Sequence, residues 1–133
     1  MAVGFFSAPP DCAVVNDQHG TVVHVTTGDR DGWETALRNL QDLADDDSVP
    51  TPTDRLMMVV DGPAVRFLLA AAPDAAAVTR AMEAGVTVVA CESSLSRLGH
   101  GPADLVDGIE TVASGVAETI RLQRGGESYL KLP

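Results

Sequence analysis

Lysine is almost missing from this chain of 133 residues: Lys131 is the only one, and every other strong base is arginine. With a formal net charge of −10, a basic face able to neutralise phosphates is hard to assemble. Nucleic acid is therefore not expected as a partner. Cysteine is scarce too. Cys12 and Cys91 stand far apart and form no CxxC, which argues against a structural disulfide in a reducing compartment. His19, His24 and His100 are scattered over different segments, so metal-ligand spacing is absent and no metal is expected. No apolar run approaches the roughly 20 residues that span a bilayer. The opening MAVGFFSAPPDC has no basic n-region and too short an apolar stretch for a signal peptide. The expected compartment is the cytoplasm, with no membrane partner.

Several common chemistries are excluded by motif. There is no GxxxxGK[ST], and the sole lysine lies near the carboxyl terminus, so the chain has no P-loop. No GxGxxG follows the first predicted strand, and Gly28 and Gly32 do not match that spacing. No GxSxG elbow is present for a hydrolase triad. No cofactor is implied.

Aspartate is abundant, including the run Asp45-Asp46-Asp47. Such aspartate-rich, lysine-poor surfaces resemble those of proteins from salt-loving organisms, where high ionic strength screens self-repulsion. A high-GC codon bias, which also explains the many alanines, is the other reading of the same composition.

Residues 1–19 carry Pro9-Pro10 and no period, which predicts an irregular amino-terminal extension. Residues 20–133 then read as one domain. TVVHVT (Thr21 to Thr26), LMMVV (Leu56 to Val60) and VTVVA (Val86 to Ala90) are near-continuous apolar runs, as expected of strands buried on both faces. Glu110 to Val112 predicts a brief fourth strand, and SYLKL (Ser128 to Leu132) alternates like an edge strand. Between them, apolar residues from Trp33 to Ala44 recur at helical spacing. Short helices are predicted over Val65–Ala72, Ala75–Ala84 and Ser93–Leu98. A further helix over Val116–Arg124 is expected, with Ser114 as its N-cap and Gly125-Gly126 closing it. Strands alternating with helices predict an α/β protein with a mainly parallel sheet covered on both faces.

In such a sheet the carboxyl ends of the strands line up, and ligand sites lie there. The segments 26–28, 61–64, 91–95 and 113–115 should converge on one edge. Cys91 is the good nucleophile among them, ending a strand and preceding the polar segment ESSLSR. The amides of Ser93 and Ser94 would favour its thiolate, while neighbouring Glu92 would oppose it. A buried cysteine that merely packs is the competing reading. His24 is either an auxiliary acid–base group or a hydrogen-bonded core residue. His100, between Gly99 and Gly101, is placed to approach Cys91 or to sit idle in a loop. Asp61 either touches a ligand or caps the turn at Gly62-Pro63. Ser114 and Gly115 complete the candidate ligand-binding set of Asp61, Gly62, Glu92, Ser93 and Ser94.

The stretch from Ala81 to Lys131 resembles the DsrE/DsrF-like family of sulfur-relay and related proteins. GVTVVACESSLSRLG, DL-V-GIETVASGV and IRLQRGGESYLKL carry the match, with VVHVTTGD, ALRNLQDL and VVDGPAVRFLL as weaker support. The resemblance implies a flavodoxin-like three-layer α/β fold, assembled as a homotrimer or homohexamer. It also implies a persulfide carried on the cysteine matching Cys91, with separate sulfur donor and acceptor proteins. The nearest branch commonly has C-x-N-S-L, whereas Ser93 stands at the asparagine position here. That departure keeps the cysteine and leaves open the hydrogen bonding beside it.

Three functions compete at this point. The first is a sulfur-relay protein with Cys91 as acceptor. The second is a non-enzymatic module binding a small ligand at the Cys91 edge. The third is a structural oligomer using apolar faces such as Val65 to Leu69.

Overall fold

Branched apolar runs dictate the centre of the molecule, since two-sided burial suits parallel strands with helices on their faces. In the computed structural model, which describes residues 20–133, these runs become β1 (Thr21–Val25), β2 (Leu56–Val60) and β3 (Thr87–Cys91). β4 (Glu110–Val112) and β5 (Ser128–Leu132) complete the sheet. All five strands of the described residues are parallel, in the order β4-β3-β2-β1-β5. The expected α/β class holds, and the sheet is wholly rather than mainly parallel. β5 flanks β1, the place that the second strand holds in a flavodoxin sheet. The expected extension 1–19, with Cys12 in it, lies outside the described residues.

The helices among the described residues are α1 (Arg30–Asp45), α2 (Ala75–Glu83), α3 (Glu92–Arg97) and α4 (Gly115–Arg124). Crossovers between parallel strands are right-handed. Steps from β1 to β2, β3 and β4 all go one way, so their connecting segments fall on one face. The return from β4 to β5 goes the other way, which puts α4 on the opposite face. Packing agrees. Val23, Met58 and Val88 point toward Trp33, Leu68 and Leu95 on the first face. Val22, Val59 and Val89 form the second face, with Leu122 of α4 against them. Among the described residues, no helix is long and apolar enough to cross a membrane.

Two local departures from the periodicity have physical reasons. α1 begins a turn before Trp33, because Asp29 caps it by accepting the Gly32 N–H at 3.0 Å. That first turn is polar, so apolar spacing does not reveal it. The helix expected over Val65–Ala72 is instead a tight 3₁₀ segment, Gly62–Leu68, with Pro63 in its first turn. The chain then leaves helical geometry to pair with residues 104–106: Ala70 N–H donates to the Asp104 carbonyl at 2.9 Å, and Val106 N–H to the Leu68 carbonyl at 3.0 Å.

Trp33 anchors the first face. It is fully buried and stacks on Phe67 with ring centroids 5.1 Å apart, close to parallel. Trp33→Ala would remove that stack and leave a large void. The expected cost is about 3–5 kcal/mol, read as a lower urea midpoint with little change in slope.

Candidate functional site

A parallel sheet exposes one row of strand carboxyl ends, and its ligand crevice opens where adjacent connections leave toward opposite faces. Here that switch falls between β3 and β4. β3 runs into α3, whose Leu95 joins the first-face core, whereas β4 runs into α4 on the other face. Cys91 is the last residue of β3. The sequence alone suggested the edge, and the handedness of the connections narrows it to this strand.

The thiol of Cys91 is free and only 5% exposed, and its Sγ lies 3.9 Å from the Ala113 carbonyl. Burial pushes this thiol up, because an anion loses its water there. The Ser94 hydroxyl and the N–H groups of Gly115 and Ser94 pull it down. Asp61 adds an opposing charge, yet the net result is a thiol held below its ordinary range. Ser94 is well arranged for this task. Its oxygen accepts the Gly62 N–H at 2.8 Å, which leaves its one proton to point at sulfur. Gly62 can make that bond because its φ is +59°, a backbone conformation that side-chain-bearing residues rarely adopt.

Beside the thiol runs a second polar line. His24 Nε2 lies 3.0 Å from Asp61 Oδ2, and His24 Nδ1 lies 2.8 Å from the Tyr129 hydroxyl. His24 and Asp61 are both buried, while Tyr129 is exposed on β5. Parallel register explains the meeting. Tyr129 pairs with Val22 and Lys131 with His24, so these side chains share the α4 face. Asp61 also presses on α4: a Cβ placed at Gly115 would sit 2.9 Å from its Oδ2. Gly115 therefore stands between the carboxylate and the sulfur its own N–H serves.

The structure brings Cys91, Ser94, Gly62, Asp61, Gly115 and His24 together. It does not bring the others. The Ser93 N–H donates to the Ala113 carbonyl at 3.4 Å rather than to sulfur, and its side chain is exposed. The acid that opposes the thiolate is Asp61 at the end of the neighbouring strand β2, not the adjacent Glu92. Ser114 works as the N-cap of α4, accepting the Ala117 N–H at 3.2 Å. His100 turns to Asp104, 3.5 Å away, on the surface. Sequence reasoning missed Tyr129, whose place follows from the register of β5 against β1. A cleft of about 320 Å³ lies away from this edge, between α1 and α2, beside Leu37, Leu40, Ala77 and Ala81. Its lining includes no cysteine, histidine or carboxylate, so it supplies no reactive group.

Neither a protein-family model nor a curated protein matches the chain. Solved structures do. A protein of unknown function from Methanobacterium thermoautotrophicum, MTH1491, is similar at 27% identity and a TM-score of 0.76, over 86% of this chain and 99% of that one. A second, BT1422 from Bacteroides thetaiotaomicron, also of unknown function, is 16% identical with a TM-score of 0.63, over 89% and 97%. Both share the α/β fold along almost their whole length.

Replacing Ser94 tests the local electrostatics. Ser94→Ala removes the donor to sulfur and leaves the Gly62 N–H without its acceptor. The Cys91 alkylation profile should move to higher pH, and stability should fall by about 1–3 kcal/mol. An unmoved profile would show that the hydroxyl does not serve the thiolate.

Proposed function

We propose that this protein carries sulfane sulfur as a persulfide on Cys91. The observation that carries the reading is a strand-end thiol held below its ordinary range by Ser94 and Gly115 despite its burial. Hydrogen-bond donors that stabilise a thiolate equally suit the leaving or incoming sulfur anion of a transfer step. The DsrE/DsrF-like resemblance of residues 81–131 supports the same assignment.

The chemistry is thiol–disulfide exchange with a persulfide as the disulfide component. The Cys91 thiolate attacks the outer sulfur of R–S–SH. A new S–S bond forms, the donor S–S bond breaks, and its electron pair leaves on R–S⁻. Cys91 now holds –S–SH, and no external oxidant or reductant is consumed. A thiolate of an acceptor protein repeats the step to unload it. Donor and acceptor proteins are thus the proposed partners, and a reducing cytoplasm suits a free thiol. A homotrimer or homohexamer is proposed as the working assembly. Exposed Val116 and Ile120 of α4, with exposed Tyr129 and Leu130 of β5, offer apolar surface for it. Sedimentation at micromolar concentration should then give a trimer or hexamer, and a monomer at all concentrations would reject it.

Alkylation decides the central point. In a Cys12→Ser background, Cys91 should react with iodoacetamide at a pH well below the roughly 8.5 of a free thiol. Incubation with glutathione persulfide should add the mass of one sulfur atom, and Cys91→Ala should abolish it. Slow alkylation with no added sulfur would make Cys91 a packing residue.

A further inference from the structure

Helices α1 and α2 lie on the same face of the sheet without closing on each other. Ala77 and Ala81 of α2 are too short to fill the gap to Leu37 and Leu40 of α1, which leaves the cleft of about 320 Å³. On the sheet side it reaches Leu56, the first residue of β2, and Val86, just ahead of β3; both are buried. The cleft thus lies at the amino ends of the strands. The length of β3, about 16 Å at strand spacing, separates it from Cys91.

Charge sets this cleft apart. Arg38 of α1 and Arg80 of α2 line it, and no carboxylate does, in a chain with 19 acids against 9 strong bases. Elsewhere arginines meet acids, as Arg30 meets Asp74 and Arg121 meets Glu118. Among the described residues neither cleft arginine forms an ion pair; Arg38 donates to the Thr35 hydroxyl of its own helix at 3.1 Å. Asp45, further along α1, is engaged by the Gln41 amide at 3.0 Å. The helix dipole accounts for a base at Arg80, in the last turn of α2, but not for one at Arg38, in the middle of α1.

We infer that this cleft binds a single-chain amphiphile with one anionic head, of the class of a medium-chain carboxylate. The alkyl chain lies between the helices on leucine and alanine, where its burial drives binding. Arg38 and Arg80 hold the carboxylate at the rim, since a guanidinium fork matches its two oxygens. The volume of about 320 Å³ is at the small end of the roughly 300–1,000 Å³ of ligand pockets, which suits one chain and not a two-tailed lipid. No residue of the Cys91 site takes part, so this binding function stands apart from sulfur transfer.

Calorimetric titration of the full chain at neutral pH with octanoate, hexanoate, 1-octanol and acetate tests it. One octanoate should bind per chain, tighter than 1-octanol by about tenfold, the scale of two partly exposed charge pairs. Each methylene from hexanoate to octanoate should tighten binding by about threefold, and acetate should give no heat. Arg38→Gln combined with Arg80→Gln should bring octanoate to the level of 1-octanol and leave 1-octanol unchanged. A merely structural role for these arginines would not separate the two ligands. Ala81→Leu fills the cleft and should weaken both; Ala77→Leu serves if that variant does not fold. Cys91→Ala should bind octanoate as the unaltered chain does, so either function can fail without the other. Equal affinity for octanoate and 1-octanol, no binding of octanoate, or octanoate binding that survives filling of the cleft overturns the inference. A chain that ignores octanoate but binds an acidic, leucine-rich peptide would assign the cleft to a protein partner and overturn it equally.

Discussion

The structure depends on one constraint: parallel strands joined by right-handed crossovers. With β1 to β4 laid down in sequence toward one side, α1, α2 and α3 have only one face available. The return stroke to β5 must then carry α4 across the other. Two consequences meet at Cys91. The connections diverge beside it, which opens the crevice, and β5 is brought next to β1, which sets Tyr129 over His24. Without the return of β5 beside β1, the histidine would face no hydroxyl.

Polar burial is then the second matter. His24 in β1, Asp61 just past β2 and Ser94 in α3 are all buried, beside a core built mainly from apolar side chains. A buried polar group without a partner costs about 1–3 kcal/mol, so each must be matched. Here the matches are specific: imidazole to carboxylate, phenol to imidazole, hydroxyl to the Gly62 amide. Asp61 remains a strained choice from the viewpoint of the thiolate, because its charge opposes that of Cys91.

Much of this architecture was legible in the chain. The runs VVHV, LMMVV and TVVAC are hard to read as anything but buried parallel strands, and Glu110–Val112 and Ser128–Leu132 fall where their patterns place them. Convergence of strand ends followed from topology alone. What stayed hidden was tertiary. The helix expected after Val65 became a 3₁₀ segment because its apolar residues are buried nearly all round and its backbone pairs with residues 104–106. Ser93 and Ser94 look equivalent in ESSLSR, and only the path of the chain aims one inward. Tyr129 gave no sign as part of an edge strand, since register between distant strands is not written in either one.

Cyanolysis tests the central claim most directly. Cyanide removes sulfane sulfur as thiocyanate, so a chain loaded with glutathione persulfide and freed of excess donor reports its own cargo. The account predicts equimolar thiocyanate from the Cys12→Ser chain and none from Cys91→Ser. Thiocyanate at the same background level from both would contradict it.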